Sequence, residues 1–230
     1  DRFWLGFAAG TKTPSSDETI DPRLLTAIDG LGGDARPGAF VYGFVMLSKR
    51  LTAERDQELT NLGCRTLGTH PWACIKVALP IESVTTVAAL PFVRWVGVAD
   101  PWQKLHPNFQ AQLVTAQSAE PLALYVNVFE SDLNPNSTFE RVGRVETYDP
   151  GSTELELAPE TSTALRWQSR GWQEERLTAL GVEVVEYVDS IRAFRVRATP
   201  ERVGDLVAQD FVLFVEAEQP ATLGHEETNN

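Results

Sequence analysis

The residues able to carry chemistry are few. The chain has three histidines, His70, His106 and His225, and two cysteines, Cys64 and Cys74. Serine-nucleophile hydrolysis needs a nucleophile, a base and an orienting acid brought together. The tripeptide contexts Asp-Ser/Thr-Gly, His-Gly-Thr and Gly-Thr-Ser that would announce such a triad are absent. His70 stands before Pro71 and Asp189-Ser190 before Ile191, so both read as turn residues, while His106 and His225 lie in polar, loop-like stretches. No two histidines share a metal-ligand spacing, which argues against a zinc or facial-triad site. Glu154, Glu156 and Glu160, or Glu174 and Glu175, have the chemistry for acid-base work, but strand alternation or an exposed helix face explains them more simply. Gly30-Leu31-Gly32-Gly33-Asp34 has the glycine content of a phosphate loop. It follows an expected helix and leads into a Pro-Gly linker, where a dinucleotide loop would follow a buried strand and open a helix. Cys64 and Cys74 fall on expected neighbouring strands, so a cross-strand disulfide is open, with two buried thiols the favoured reading. Asn136-Ser137-Thr138 matches the glycosylation acceptor pattern. A non-catalytic chain that holds no metal or cofactor is the expectation.

The elements that would position these residues belong to a protein of 230 residues with net charge -12 and pI near 4.7. With 43% apolar and 23% charged residues it can bury a core, and its length suggests two units. Its negative field repels polyphosphates and anionic headgroups, so no nucleic acid and no membrane surface is expected as a partner. Apolar runs such as 40–47 and 92–99 are too short to span a bilayer. The chain begins Asp1-Arg2-Phe3-Trp4-Leu5, without a charged-then-apolar leader, consistent with a signal already removed or a trimmed start.

Residues 1–38 read as an extension: a polar loop over 11–18, then a short helix with Asp21 as N-cap, Pro22 as first residue and Leu24, Leu25 and Ile28 on one side, then the Gly-rich stretch 30–38. From Phe40 the pattern predicts strand 40–47, a helix from Thr52 stopping at Gly63, strands 64–67 and 73–78 about a turn at His70-Pro71, a helix opened by Pro80, and strand 92–98. The order is βαββαβ. Leu59-Thr60-Asn61-Leu62-Gly63 recurs as Leu177-Thr178-Ala179-Leu180-Gly181, an offset of 118 from Gly63 to Gly181. Pro91-Phe92-Val93-Arg94-Trp95-Val96 recurs as Asp210-Phe211-Val212-Leu213-Phe214-Val215, an offset of 119 from Phe92 to Phe211. The second copy adds strands 122–129, 182–187 and 191–198, a long helix over 159–180, and a helix capped by Thr199 and begun by Pro200. The expected fold is therefore α+β: two tandem ferredoxin-like units with antiparallel sheets, at 39–108 and 121–220, joined by a linker over 109–120. An insertion over 130–160 would form an extra hairpin around Asp149-Pro150-Gly151, and 221–230 is a polar tail.

Leu-Gly-Cys-Arg-Thr-Leu (62 to 67), Pro-Phe-Val-Arg-Trp-Val (91 to 96), Gly-Val-Glu-Val-Val-Glu-Tyr (181 to 187) and Phe-Val-Leu-Phe-Val-Glu-Ala-Glu (211 to 218) resemble the N-terminal propeptides of secreted subtilisin-like serine proteases. The resemblance covers roughly 40–105 and 120–220. It implies a ferredoxin-like chaperone and tight inhibitor, with the cognate protease catalytic domain as partner and an exported precursor as context. In that family two acidic residues, one apart, end the last strand and cap two surface helices of the protease. Carboxylates suit those helix N-termini because the unpaired N-H groups and the dipole are positive there. Glu216 and Glu218 stand at that place, where the first repeat has Gly97 and Ala99, so the second repeat is the expected inhibitory one. The alternative is that the pair merely faces water. The family's tail then enters the active-site cleft as an extended strand, which assigns Gly224, His225, Glu226, Glu227, Thr228, Asn229 and Asn230 to the protease contact, with the cut at Asn230 or nearer Gly224 or His225. The other reading is a non-catalytic regulatory or protein-binding module built from the same repeated fold.

Overall fold

The computed structural model describes residues 3–30, 40–115, 120–129 and 170–218. Over these it is a mixed α/β protein with antiparallel sheets. In chain order come β1 (Leu5–Phe7), β2 (Gly10–Lys12), α1 (Pro22–Gly30), β3 (Phe40–Leu47), α2 (Ala53–Asn61), β4 (Arg65–His70), β5 (Cys74–Pro80), α3 (Val84–Ala88), β6 (Val93–Gly97) and α4 (Pro107–Thr115). Then follow β7 (Leu122–Val128), α5 (Arg170–Ala179), β8 (Glu183–Val188), β9 (Ala193–Ala198), α6 (Val203–Ala208) and β10 (Val212–Ala217). Short 3-10 turns, Ile81–Ser83 and Pro200–Arg202, lead into α3 and α6.

Besides the β1-β2 hairpin there are two four-stranded sheets, ordered β4-β5-β3-β6 and β8-β9-β7-β10. The agreement reaches individual bonds. Val45 pairs with Val96 as Val126 pairs with Val215. The Leu47 N-H donates to the Ala73 carbonyl (2.9 Å) as Val128 does to Arg192 (3.1 Å). Ala73 (φ 60) and Arg192 (φ 51) both sit in the left-handed region, ending the hairpin turns alike. Gly63 and Gly181 stop the preceding helices at φ 79 and 78, a conformation glycine adopts without steric cost. Thr52 caps α2 through its hydroxyl, which accepts from the Arg55 N-H.

One face of each sheet packs on helices. Val41, Val45, Ile75, Val77 and Leu79 meet Leu59, Val84, Val87 and Leu24 in the first half; Leu124, Val126, Phe194 and Val196 meet Leu177, Val203 and Leu206 in the second.

Several expectations need correction. His70 is the last residue of β4, not a turn residue: its ring lies 4.8 Å from those of both Phe7 and Phe44, and Nε2 is 2.7 Å from the Gly6 carbonyl oxygen. Pro80 is the last residue of β5 and the N-cap of the turn Ile81–Ser83 that leads into α3, not the first helical residue, because its extended ψ of 133° continues the ladder with Phe40. Thr199 stands at the N-cap position before Pro200, as expected, but makes no side-chain capping bond. Leu25 is 43% exposed while Leu24 is buried. The 109–120 segment is not plain linker, since α4 runs from Pro107 to Thr115 and buries Phe109. The 1–38 extension contributes the β1-β2 hairpin and α1, with Asp21 capping as expected: Oδ1 accepts from the Arg23 N-H at 2.9 Å. Cys64 and Cys74 follow the favoured reading: both are free and buried, in different clusters, and burial pushes both thiols up to about 12. The expected insertion hairpin and the first part of the long helix lie outside the described residues.

Candidate docking face

The face of each sheet turned away from the helices is built from alternate residues, and the two faces differ sharply. In the first sheet one cross-strand row runs Gly97, Phe44, Lys76, Gly68. In the second, the row at the same register runs Glu216, Tyr125, Arg195, Glu186.

The first face is covered by the chain itself. Tyr42, Phe44, Met46 and Trp95 are buried. Phe7 of the N-terminal hairpin stands edge-on to Phe44 at 5.7 Å, and Leu5 is buried beside it. From the second half, Phe129 packs on Tyr42 at 5.7 Å and on Phe44 at 5.3 Å, and the Asp210 carboxylate accepts from the Tyr42 N-H (3.4 Å). Lys12 lies 5.1 Å over the Trp95 ring and 2.5 Å from buried Asp21, while the Trp95 indole donates to Glu18 (2.9 Å). Trp72, 56% exposed and at φ 66, lies beside Trp4 with ring centroids 4.8 Å apart. It occupies the space a Cβ on Gly6 would need, 2.7 Å from Trp72 Cδ1, so the bare glycine lets the indole lie on β1.

The second face is charged and, among the described residues, uncovered. Arg195 Nη2 is 2.8 Å from Glu218 Oε1 and its Nε donates to Oε2 at 3.1 Å, a two-point clasp. Its Nη1 donates to Glu186 (3.3 Å). These bonds, Glu218 first, raise the Arg195 pKa above its ordinary value. Arg197 lies 3.6 Å from Glu183 with both side chains more than half exposed, a pair worth little. Ala123, Val185, Val196, Arg195, Arg197 and Glu218 line a shallow hollow, with Val185 44% exposed at its rim.

No family model, curated protein or solved structure matches this chain. The reading therefore stands on the geometry.

Of the residues singled out in the sequence, Glu216 and Glu218 come together on this face, Glu216 opposite Tyr125 and Glu218 donating its N-H to the Ala123 carbonyl at 2.9 Å. The Glu218 carboxylate does not face water alone, because Arg195 holds it. Gly224, His225, Glu226, Glu227, Thr228, Asn229 and Asn230 lie outside the described residues. Arg195, Arg197, Tyr125, Glu183 and Glu186 were missed. The signal was present in Ala193–Ala198, where Phe194 and Val196 alternate with Arg195 and Arg197 as a strand with one wet face must. His106 is not a loop residue but the cap of α4, its Nδ1 accepting from the Asn108 N-H at 3.2 Å. Among the described residues no group of three or more His, Cys, Asp or Glu could hold a metal ion, and no helix is long and apolar enough to cross a membrane.

Proposed function

We propose that this chain is the propeptide region of a subtilisin-like serine protease precursor, non-catalytic and exported with it. Its two tandem ferredoxin-like units chaperone the catalytic domain and then inhibit it. The observation that carries the reading is the asymmetry of the two sheet faces. A protein that docks one partner through one of two repeated units needs one face closed and one open. Here the first face is filled by Leu5, Phe7 and Phe129, whereas the second presents Glu183, Glu186, Glu216 and Glu218 against Arg195 and Arg197. That net negative face complements the positive N-termini of surface helices. Glu216 and Glu218 cap the protease helices, and the segment from Gly224 to Asn230 lies in the cleft as a cleaved product would. Titrating mature subtilisin with the purified chain tests this. Loss of peptidase activity at one equivalent supports it, with Glu216→Gln and Glu218→Gln weakening the inhibition; undiminished turnover while the chain stays intact refutes it.

The clasp of Glu218 by Arg195 favours a second reading, a protein-binding regulatory module whose open face meets a different partner. Removing residues 221–230 separates the two. Inhibition collapses if the tail fills a cleft, whereas binding through the sheet face alone survives the truncation.

A further inference from the structure

The repeat extends further than the βαββαβ pattern. Before each sheet's first strand, a short stretch pairs in parallel with the outer edge of that sheet's last strand and then turns into a helix beginning with proline. In the first half Ile20 bridges Val96, with Val96 N-H to Thr19 carbonyl at 2.9 Å and Asp21 N-H to Val96 carbonyl at 2.8 Å. In the second, Leu105 bridges Val215, with Val215 N-H to Lys104 carbonyl at 2.7 Å and His106 N-H to Val215 carbonyl at 3.0 Å. Pro22 and Pro107 open the helices, and Leu24 and Phe109 are their buried anchors, all at the offset of 85 that separates Ile20 from Leu105. The capping bond is repeated too: Asp21 Oδ1 accepts from the N-H of Arg23, and His106 Nδ1 accepts from the N-H of Asn108. One position, one bond, but a carboxylate in one copy and an imidazole in the other.

The two acceptors respond to acid in opposite ways. A carboxylate at a helix N-terminus remains an acceptor and favours the dipole. An imidazole that gains a proton loses the Nδ1 lone pair, hands the exposed Asn108 N-H over to water and places a cation at the positive end of α4. We infer that His106 makes the joint between the two halves acid-sensitive: protonating its ring uncaps α4, the helix that carries the chain from the first sheet to the second. The edge of the ring faces Phe214 at 6.0 Å. The His106 N-H bonds the Val215 carbonyl, so Glu216, the next residue of β10, and Lys104, two residues before the ring, are the ionisable residues nearest it along the bonded backbone. Lys104 is turned onto the Gln209 carbonyl and Asp100 is held by Lys12 and Arg23. α4 has no ionisable side chain of its own, so its amides report on the cap.

Hydrogen exchange of the intact chain, corrected for the chemical exchange rate at each pH, tests this with an internal reference. Between about pH 7.5 and 5.5 the protection of α4 amides from Phe109 to Leu113 should fall by roughly tenfold, while those of α1, capped by Asp21, hold. His106→Asp, which installs the first copy's cap, should abolish the fall; His106→Asn serves the same purpose should the aspartate variant not fold. Unchanged α4 protection in the wild type, a fall shared equally by α1, or a fall that persists in either variant overturns the inference.

Discussion

Lys104 and Asp210 are buried opposite charges that attract each other at the junction of the two halves, and the cost of burying them can be worked out. Lys104 is 5% exposed, donates to the Gln209 carbonyl at 2.8 Å, and has its pKa lowered from 10.5 to about 8, chiefly by burial and opposed by the attraction of Asp210. Asp210 keeps some residue surface in solvent, but its carboxyl group is enclosed, and burial raises its pKa against the pull of the Tyr42 N-H and of Lys104. The lysine shift corresponds to about 3 kcal/mol of stability forgone at neutral pH, at 1.36 kcal/mol per pH unit. The sign follows from proton counting. Between pH 8 and 10.5 the unfolded chain holds a proton on Lys104 that the folded chain has released, so this group makes stability rise with pH across that window. Asp210 acts in the opposite sense to an ordinary paired carboxylate: the folded state holds its proton longer, so its contribution grows as pH falls towards 3.8. Lys104→Met alone leaves a buried carboxylate without its counter-charge and should destabilise by about 3 to 5 kcal/mol at pH 7. Asp210→Asn alone keeps an acceptor for Tyr42 but strands the ammonium, with a similar penalty. The double variant removes both charges and should return to within about 1 kcal/mol of wild type, giving a coupling of about 5 kcal/mol or more. Urea unfolding followed by far-ultraviolet circular dichroism at pH 7 measures the cycle. Repeating wild type and Lys104→Met from pH 7 to 10 isolates the lysine, since the cysteines contribute equally to both. Additive losses in the double variant, or a pH-independent difference between the two proteins, would refute the reasoning.

Gly43→Ala should destabilise by about 1 to 3 kcal/mol in chemical denaturation, because the new Cβ would sit 2.7 Å from the backbone oxygen of Gly97 on the neighbouring strand. Gly204→Ala, in α6 with nothing within 4 Å of the added methyl, should stabilise by roughly 0.5 to 1 kcal/mol in the same assay. Phe129→Ala should cost about 3 to 5 kcal/mol, since its ring fills the first sheet's face against Tyr42 and Phe44. Both thiols should resist a disulfide reagent at pH 8 in the native protein and react at once in denaturant. Because their folded pKa of about 12 lies above the ordinary 9.0, the cysteines' contribution to stability is complete below pH 9 and drains away as pH climbs towards 12. Fast labelling of the native chain would contradict that burial.

The elements were readable wherever local chemistry acts alone. Asp21 followed by Pro22, Thr52, and Gly63 with Gly181 mark helix ends through capping oxygens and left-handed glycine, which need no tertiary partner. Pro80 misled because a proline accepts either a helix start or a strand edge, and only the pairing of Pro80 with Phe40 decides between them. The β1-β2 hairpin has strands of three residues, too short for periodicity to register. The α4 helix was hidden by a different effect: His106 is an uncommon cap, so His106-Pro107 reads as loop where Asp21-Pro22 reads as helix, although the two positions make the same bond.

The candidate site was half legible for a reason that lies in burial. β3 and β5 are buried on both sides, and their runs Phe-Val-Tyr-Gly-Phe-Val-Met-Leu and Cys-Ile-Lys-Val-Ala-Leu-Pro show almost no alternation, as strands sandwiched between two layers should not. β7 and β9 alternate, with Tyr125, Asn127, Arg195 and Arg197 on the face away from the helices. The contrast between two repeats of one strand order is thus itself a statement about partners: the first sheet is written for a second layer, which the N-terminal hairpin and Phe129 supply, and the second for water or for another protein. What alternation cannot give is the pairing within the open face. Glu218 follows the last strand residue and lies 23 positions from Arg195, yet one antiparallel strand between them, β7, brings the carboxylate to the guanidinium at 2.8 Å. A partner that uses Glu218 must therefore displace Arg195 from a two-point clasp, and the strength of that internal pair, not the presence of the carboxylate, sets how readily the face engages.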